Sequence, residues 1–496
     1  MELESKAPYV LIFPLPAQGH VNSMLNLAQL LSLSGINITS LNTDHNHNRL
    51  VFHTDILDRF ACFLGFQFKS IPDGLLADHP RAGDRFMEMF FDSITLVTEP
   101  LFKEMMLSGQ LNSATGQLVP CIITDGSLSF PIDVGNKLGI LVIHFRTISA
   151  CSFWAYFYIQ DMIEAGKHPI RDTMVTTLEK EDMDYFIRSV PGKETFLRIR
   201  DLPSFCRARN TTDSNLQQVK NMTRQSPRAH ALMLNSFEDL EGLVLSHIRT
   251  KCPKTYTIGP LHAFFKSKLE SKTTLLQSVS PNSLFEVDKS CMVWLDAQPL
   301  KYVIYVSFGS ITVMTKDELM EFWYGLVNSK KRFLWSIRPD LVTQKDGKDQ
   351  IPLELFEGTK DRGYMVGWVP QEEVLAHQAI GGFLTHSGWN STLESIVAEV
   401  PMICWPYFAD QQTNSRFVSE VWKLGMDMKD VCDRVMVKKI VNHLMEKRRE
   451  IFMKSATEMA RLAKESVSEA CKKRHYHYNL DHLIKDIRLM SVITTK

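Results

Sequence analysis

Two polar residues that follow apolar runs in the first part of the chain could together perform base catalysis. His20 comes shortly after the run 9–13, and Asp125 directly after the run 120–124. An imidazole takes up a proton near neutral pH, and an alcohol becomes a good nucleophile only once its proton is removed. A carboxylate beside the ring orients it and stabilises the imidazolium, as in a Ser-His-Asp triad. The pair predicts activation of a hydroxyl group, although either residue alone is more often a helix-start or loop residue.

A second candidate site binds anions. A short apolar stretch, 382–385, is followed by a tight loop from His386 to Trp389, and Asn390 and Ser391 then begin a helix. Free backbone N–H groups and the positive end of the helix dipole at such a start attract an anion. The arrangement predicts a pyrophosphate site.

The segments around the first site predict a parallel sheet. Residues 9–13 form a continuous apolar run, typical of a strand buried on both faces. Apolar residues at helical spacing follow until Gly35, and 36–41 is a second strand. Further apolar runs at 120–124 and 140–145 continue the alternation, which predicts a doubly wound α/β sheet with His20 at the mouth of its crevice.

The chain is long enough for two domains. Its 496 residues exceed one ordinary core, and the α/β pattern restarts with a strand at 302–306, a helix at 315–328 and a strand at 333–337. A polar stretch at 266–283 separates the halves. The predicted boundaries are a first domain at 1–255, a linker at 256–290, a second domain at 291–472 and a terminal helix at 473–496, which could dock on the first domain.

The composition of the chain argues against several classes of binding partner and against bound zinc. Lys plus Arg and Asp plus Glu each total 56, so no net charge attracts nucleic acid or an anionic membrane. The nine cysteines are scattered singly, which argues against a disulfide framework or a zinc site. The beginning of the chain lacks the pattern of a signal peptide, and no apolar run has the length of a membrane span. We expect a cytoplasmic monomer that binds small molecules.

One segment identifies a family. Residues 368–411, from WVPQEEVLAHQ through THSGWNSTLES to PYFADQ, resemble the 44-residue signature of plant family-1 UDP-glycosyltransferases. The stretches FPLPAQGH, IITDG and YVSFGS are similar to the same family, so the resemblance covers nearly the whole chain. It implies the GT-B fold, in which two Rossmann-like domains face each other across a cleft that holds the donor and the acceptor.

The resemblance implies a role for each donor-site residue. The matching positions hold phosphate at His386, Asn390, Ser391 and Ser310, with Gly388 in the same loop. The uracil and ribose contacts match Trp368, Val369, Gln371 and Glu394, and the sugar contacts match Trp389, Asp410 and Gln411.

The same resemblance assigns the reaction. His20 and Asp125 match the catalytic dyad of an inverting transfer that uses neither metal nor cofactor, and Gln411 matches a glutamine that accompanies UDP-glucose as donor. The chain departs from the family at Ser387, at Glu399 and at Ser23, where the family usually has Cys, Gly and Pro. We expect Glu399 to change the local geometry after the helix.

The acceptor side is the least defined. Stretches such as SIPDGLLADHPRAGD and RDLPSFCR resemble a subgroup of glucosyltransferases that act on 7-deoxyloganetic acid, an iridoid acid. Arg146, Thr147 and Phe408 are the acceptor candidates, and Arg146 could pair with a carboxylate together with His144 on the same strand face. Most of the aromatic residues at 153–158 are expected in the core.

Other functions remain open. A flavonoid or another phenolic could be the acceptor, and the chain could bind a UDP-sugar without catalysis, although the presence of both His20 and Asp125 argues against lost chemistry. An NAD-dependent dehydrogenase is disfavoured, because the first turn reads Ala-Gln-Gly-His at 17–20 and lacks the G-x-G-x-x-G pattern.

Overall fold

The computed structural model contains two parallel sheets, each with helices on both faces. It describes residues 7–77, 79, 81, 84–164, 182–187, 196–208, 210–270, 282–341, 355, 359, 362–428, 431–468 and 479–493. The predicted fold class, two Rossmann-like α/β domains, is confirmed.

The first sheet has the strand order β3-β2-β1-β4-β5-β6-β7, all parallel. The strands are β1 (Tyr9–Phe13), β2 (Asn37–Thr43), β3 (Phe66–Ile71), β4 (Cys121–Asp125), β5 (Leu141–Arg146), β6 (Ala231–Leu234) and β7 (Thr255–Thr257). The whole of β1 is buried, as a continuous apolar run predicts for a central strand. Because β1 lies beside β4, and β4 beside β5, the carboxyl ends of these three strands meet at one edge.

The helices of the first domain cover this sheet. They are α1 (Gln18–Leu33), α2 (Asp44–His53), α3 (Ile56–Ala61), α4 (Asp84–Ser93), α5 (Glu99–Leu107), α6 (Phe130–Leu138), α7 (Ala150–Glu164), α8 (Ser214–Gln225), α9 (Glu238–Lys251) and α10 (Leu261–Glu270). A single π-helical turn, Ile94–Thr98, joins α4 to α5.

The second sheet has the order β10-β9-β8-β11-β12-β13, again parallel. Its strands are β8 (Val303–Ser307), β9 (Arg332–Ser336), β10 (Gly363–Val366), β11 (Ile380–Thr385), β12 (Met402–Cys404) and β13 (Gly425–Asp427). The helices that accompany it are α11 (Ser290–Asp296), α12 (Lys316–Ser329), α13 (Gln371–Ala376), α14 (Trp389–Val397), α15 (Gln411–Arg416), α16 (Arg434–Asn442) and α17 (Arg449–Ser466).

The first domain extends beyond the predicted boundary at residue 255. Strand β7 continues to Thr257, and Leu261 and Phe265 of α10 are buried with Met24 and Leu27 of α1. Strand β7 is an edge strand of three residues, too short to give a periodic signal in the sequence, so the predicted boundary falls before its end. Part of the predicted linker, 271–281, lies outside the described residues.

The last helix, α18 (Leu480–Ile493), lies on the first sheet. Leu483 and Ile487 are fully buried in the cluster that contains Val10 of β1. Lys254 pairs with Asp486 at 2.8 Å. The chain therefore crosses back from the second domain and covers the strands that carry the first domain's part of the cleft.

Glu399 adopts a left-handed backbone conformation directly after α14, with φ of 60°. This region favours glycine, the usual family residue, because a side chain there is strained. The carboxylate pairs with Lys464 of α17 at 2.7 Å. Glu399 thus ends α14 in a conformation that glycine adopts without strain. In the described part of the chain, no helix has the length and apolar character that crossing a membrane requires.

Candidate functional site

A cavity of about 550 Å³ lies between the two domains at the carboxyl ends of both sheets. This volume is in the range of small-molecule sites. The predicted site residues that line it are His20, Arg146, Thr147, Ser310, Trp368, Val369, Gln371, His386, Gly388, Trp389, Asn390, Ser391, Glu394, Phe408, Asp410 and Gln411. Asp125 lies behind His20 and does not line the cavity.

The first-domain end of the cavity contains the predicted dyad. His20 Nδ1 lies 2.6 Å from Asp125 Oδ2, and the Asp125 side chain is 1% exposed. Burial opposes ionisation of Asp125, but the charge and hydrogen bond of His20 and the N–H of Ser127 outweigh it, so the pKa of Asp125 lies below its usual value. A carboxylate held ionised in this way fixes the imidazole tautomer and leaves Nε2 as the proton acceptor.

Thr147 belongs to the same cluster. Its hydroxyl lies 2.7 Å from His20 Nδ1 and 3.5 Å from Asp125 Oδ2. The sequence predicts Thr147 as an acceptor contact, whereas the structure engages its hydroxyl with the dyad. Thr147 still lines the cavity, so its methyl group is the part of the side chain that can contact an acceptor.

The anion site forms where β11 ends and α14 begins. Gly388 is the N-cap residue of α14 and leaves its first N–H groups facing the cavity. The His386 ring lies between Gly309 and Gly388, and a Cβ at either glycine would come within 2.5 Å of His386 Nε2. Burial and the charge of Arg338 lower the pKa of His386 to about 4. At neutral pH His386 is therefore a neutral N–H donor.

Arg338 supplies a fixed positive charge below this loop. The residue is 3% exposed, and its guanidinium donates to the carbonyl oxygens of Gly309 and Thr312 and to Asp340. Gly309 and Thr312 flank Ser310 in the loop after β8, so these hydrogen bonds fix the conformation of that loop. The guanidinium also adds positive charge near the predicted diphosphate.

The amide of Asn390 contacts the first domain. Nδ2 donates to the carbonyl of Gly19 at 2.7 Å, and Oδ1 accepts from the hydroxyl of Ser23 at 2.9 Å. Both amide atoms therefore join the two domains, and one N–H of Nδ2 remains for the predicted phosphate contact. Ser23, where the family usually has Pro, supplies one of these contacts.

The base end of the site is an aromatic stack. Trp368 stacks on Phe285 with ring centroids 4.6 Å apart, and the guanidinium of Arg49 covers Phe285 at 4.9 Å. Phe285 thus supports one face of Trp368, and a nucleobase can stack only on the remaining face.

The ribose end carries a buried acid. Gln371 Nε2 donates to Glu394 Oε2 at 2.6 Å and to the Ser391 hydroxyl at 2.9 Å. Burial and the neighbouring Glu372 raise the pKa of Glu394 to about 8. A protonated Glu394 can donate a hydrogen bond to one ribose hydroxyl and accept one from another.

At the sugar end, Trp389 and Gln411 use some of their polar atoms in contacts within the protein. The Trp389 indole donates to the carbonyl of Asn235 at 2.8 Å and is 3% exposed, so its ring is part of the domain interface. Gln411 Oε1 accepts from the N–H groups of Tyr407 and Phe408. Gln411 therefore offers a sugar its amide N–H groups, and its predicted sugar contact stays a prediction.

The acceptor end is bounded by Arg146 and an apolar wall. Arg146 Nη1 donates to the carbonyl of Gly126 at 2.6 Å, and the guanidinium covers Phe153. His144 is fully buried, contacts Leu128 and Ser226 and does not line the cavity, so the predicted pair with Arg146 is wrong. The wall includes Phe91, Ile148, Tyr156, Phe205, Met222 and Phe408.

Sequence reasoning missed Phe285, Arg338 and Asn414. Phe285 is an aromatic residue at the end of a polar stretch, and Asn414 lies three residues beyond the signature. Arg338 follows an apolar strand, a position where a charge signals a buried ionic contact. Each contact depends on tertiary structure, and the sequence offered only these weak signals.

Comparisons with known proteins agree with this geometry. Residues 285–457 match the family model described as UDP-glucoronosyl and UDP-glucosyl transferase. The chain is 56% identical to a 7-deoxyloganetic acid glucosyltransferase of Catharanthus roseus, with 98% of each chain covered. It is 40% identical to a myricetin 3-O-rhamnoside 1,2-glucosyltransferase of Crocosmia x crocosmiiflora, covering 98% of this chain and 96% of the relative.

A solved structure shares the arrangement of both domains. The crystal structure of Os79 from O. sativa in complex with UDP superposes with a TM-score of 0.78 at 25% identity, covering 97% of this chain and 100% of the other.

We expect Gly309→Ala to weaken UDP binding by about tenfold or more, because the new Cβ collides with the His386 ring. Gly116→Ala is the matched control, since Gly116 also has positive φ but open space around it. Calorimetric titration with UDP measures both variants. Wild-type affinity in Gly309→Ala would contradict the packing of His386 against this loop.

Proposed function

Because this chain belongs to the UDP-glycosyltransferase family, we propose that it transfers glucose from UDP-glucose, with inversion, to 7-deoxyloganetic acid or a closely related iridoid acid. The family membership rests on the full-length relatives above. The observation that carries the reaction is the contact between His20 and Asp125 at the cavity wall.

In the proposed mechanism His20 is the general base. Asp125 and Thr147 hold Nδ1, so Nε2 takes the proton of the acceptor hydroxyl as its oxygen attacks the anomeric carbon. Attack comes from the face opposite UDP, through an oxocarbenium-like transition state. Asp125 then stabilises the imidazolium, and the chain forms no covalent bond to the sugar.

The diphosphate leaves toward the second domain. The first N–H groups of α14, the N–H of His386 and the fixed charge of Arg338 stabilise the developing charge. We therefore propose a transfer that uses neither metal nor cofactor.

Arg146 supports an acidic acceptor. Within the described residues the hydrogen bond of Nη1 to Gly126 leaves Nε and Nη2 without a protein acceptor at the cavity wall. An arginine edge in this position binds a carboxylate in a charge-assisted pair. The apolar wall beside it suits a compact terpenoid skeleton, and the relative from Catharanthus roseus is named for such an acid.

A flavonoid or another phenolic is the second candidate acceptor, because the relative from Crocosmia x crocosmiiflora is named for a flavonoid glycoside. A binding protein without catalysis is less favoured, since the dyad geometry is intact.

The setting of the protein is also a proposal. The described cysteines are free thiols, which suits a reducing compartment such as the cytoplasm. Both walls of the cavity come from one chain, which suits a monomer.

His20→Ala should lower glucosyl transfer by at least about two orders of magnitude, because the acceptor loses its base. UDP affinity should stay within about threefold of the wild type, since His20 lies at the acceptor end. Product formation and UDP titration are measured on the same preparation. An equal loss of UDP binding would instead make His20 a donor contact.

Arg146→Gln should lower the preference for an iridoid acid over its methyl ester by about tenfold or more, since hydrogen bonds to charged groups contribute roughly 1.5–3 kcal/mol. Arg146→Lys should keep part of the preference. The ratio of kcat/KM for the two substrates cancels any general effect on the nearby dyad. Faster turnover of a flavonol by the wild type, or no acid preference, would assign the acceptor to the phenolics.

EDTA should leave the rate nearly unchanged, because protein groups stabilise the leaving diphosphate. In the part of the chain that the structure describes, no group of three His, Cys, Asp or Glu side chains could hold a metal ion. The rate is measured before and after chelation, and again with added Mg²⁺. A strict Mg²⁺ requirement would contradict the proposed stabilisation.

A further inference from the structure

Asn414 is a fully buried amide between the two domains that the reaction above leaves without a role. It lies on α15, one turn after Asp410 and three residues after Gln411. Its position next to two predicted sugar contacts makes its hydrogen bonds informative.

The Asn414 amide uses its polar atoms on both sides. Nδ2 donates to Asp410 Oδ2 at 2.8 Å and to the carbonyl oxygen of Ser387 at 3.0 Å. Oδ1 accepts from the hydroxyl groups of Ser149 at 2.7 Å and Ser152 at 3.3 Å. A side-chain amide has two N–H donors and one carbonyl acceptor, so all are engaged.

These contacts allow one orientation of the amide. A flip would place Oδ1 against the Asp410 carboxylate and the Ser387 carbonyl, two acceptors that would then lose their donor. Ser149 and Ser152 belong to the first domain, shortly after Thr147. Because their hydroxyl groups donate to Oδ1, the first domain holds the amide with Nδ2 directed at Asp410 and Ser387. Ser387 lies between His386 and Gly388, in the loop 386–389 of the anion site, which we call the anion loop.

We propose that Asn414 is a positioning residue for the sugar end of the donor, which holds the Asp410 carboxylate and the anion loop in a fixed relation to the first domain. The role rests on the proposed glucosyl transfer. In this role Asp410 accepts hydrogen bonds from sugar hydroxyls as an ionised carboxylate. Because Asn414 Nδ2 donates to that carboxylate, loss of Asn414 changes how the sugar is bound.

The charge state of Asp410 gives this role a specific signature. Burial raises the pKa of Asp410 to about 6, against the opposing hydrogen bond from Asn414 and the charges of His20 and Arg146. Tyr156 also faces the carboxyl group. Removing the Asn414 donor raises the pKa further. Because the ionised form is the active one, activity is lost as the pH falls through this pKa, and the loss moves to higher pH.

The test is the pH dependence of kcat/KM for UDP-glucose. Asn414→Asp keeps an acceptor for the serines but replaces the donor with a second carboxylate, and Asn414→Ala removes the donor without a new charge. We expect at least about a tenfold loss at pH 7 in both variants and an acid limb displaced upward by about one pH unit. Two variants keep the test decisive if one fails to fold.

The matched control is Ser149→Ala, which removes one donor to Asn414 Oδ1 but leaves the contacts of Asn414 and Ser152 with Asp410 in place. We expect a smaller loss and an unmoved acid limb. Profiles of both Asn414 variants that superimpose on the wild type, or an equal displacement in the serine control, would overturn the role. A wild-type chain that does not transfer glucose would contradict the proposed function instead, so the two failures are distinguishable.

Discussion

The buried carboxylate of Asp125 beside His20 is the interaction on which the rest of the site depends. An acid that is 1% exposed is costly to ionise, and His20 and the N–H of Ser127 offset that cost. The parallel order β1-β4-β5 brings these groups together, because it places the ends of neighbouring strands at one edge. The second domain then brings the sugar donor to the Nε2 side of His20, which Asp125 leaves free.

The second domain holds the UDP-sugar opposite His20 through backbone groups and buried polar contacts. In the anion loop, the His386 ring lies between Gly309 and Gly388, and the guanidinium of Arg338 lies below the loop. Asn390 and Trp389 then join the loop to the first domain through Gly19 and Asn235. The residues that begin α14 thus also fix its distance from the dyad, and binding and domain alignment share the same side chains.

The sequence was sufficient for the fold class, for the pairing of His20 with Asp125 and for the place of the anion loop. Continuous apolar runs predict buried parallel strands, and the ends of such strands must converge. It was insufficient for the direction of individual side chains. Asn390 and Trp389 carry the expected residue types, but carbonyl oxygens distant in sequence accept from their N–H groups. The Gln411 side-chain oxygen is engaged by the nearby N–H groups of Tyr407 and Phe408. The short edge strand β7 and the contacts of Phe285 and Asn414 likewise depend on packing that no local pattern encodes.

In the proposed mechanism, the base on the first domain and the leaving diphosphate on the second lie on opposite sides of the anomeric carbon. The stereochemistry of the product tests it most directly. Nuclear magnetic resonance of the glucoside formed from UDP-α-glucose distinguishes the two anomers at the moment of formation. A β-glucoside as the first product is the predicted result. An α-glucoside would require a covalent sugar intermediate or attack from the diphosphate side, and would contradict the assignment of His20 as the base.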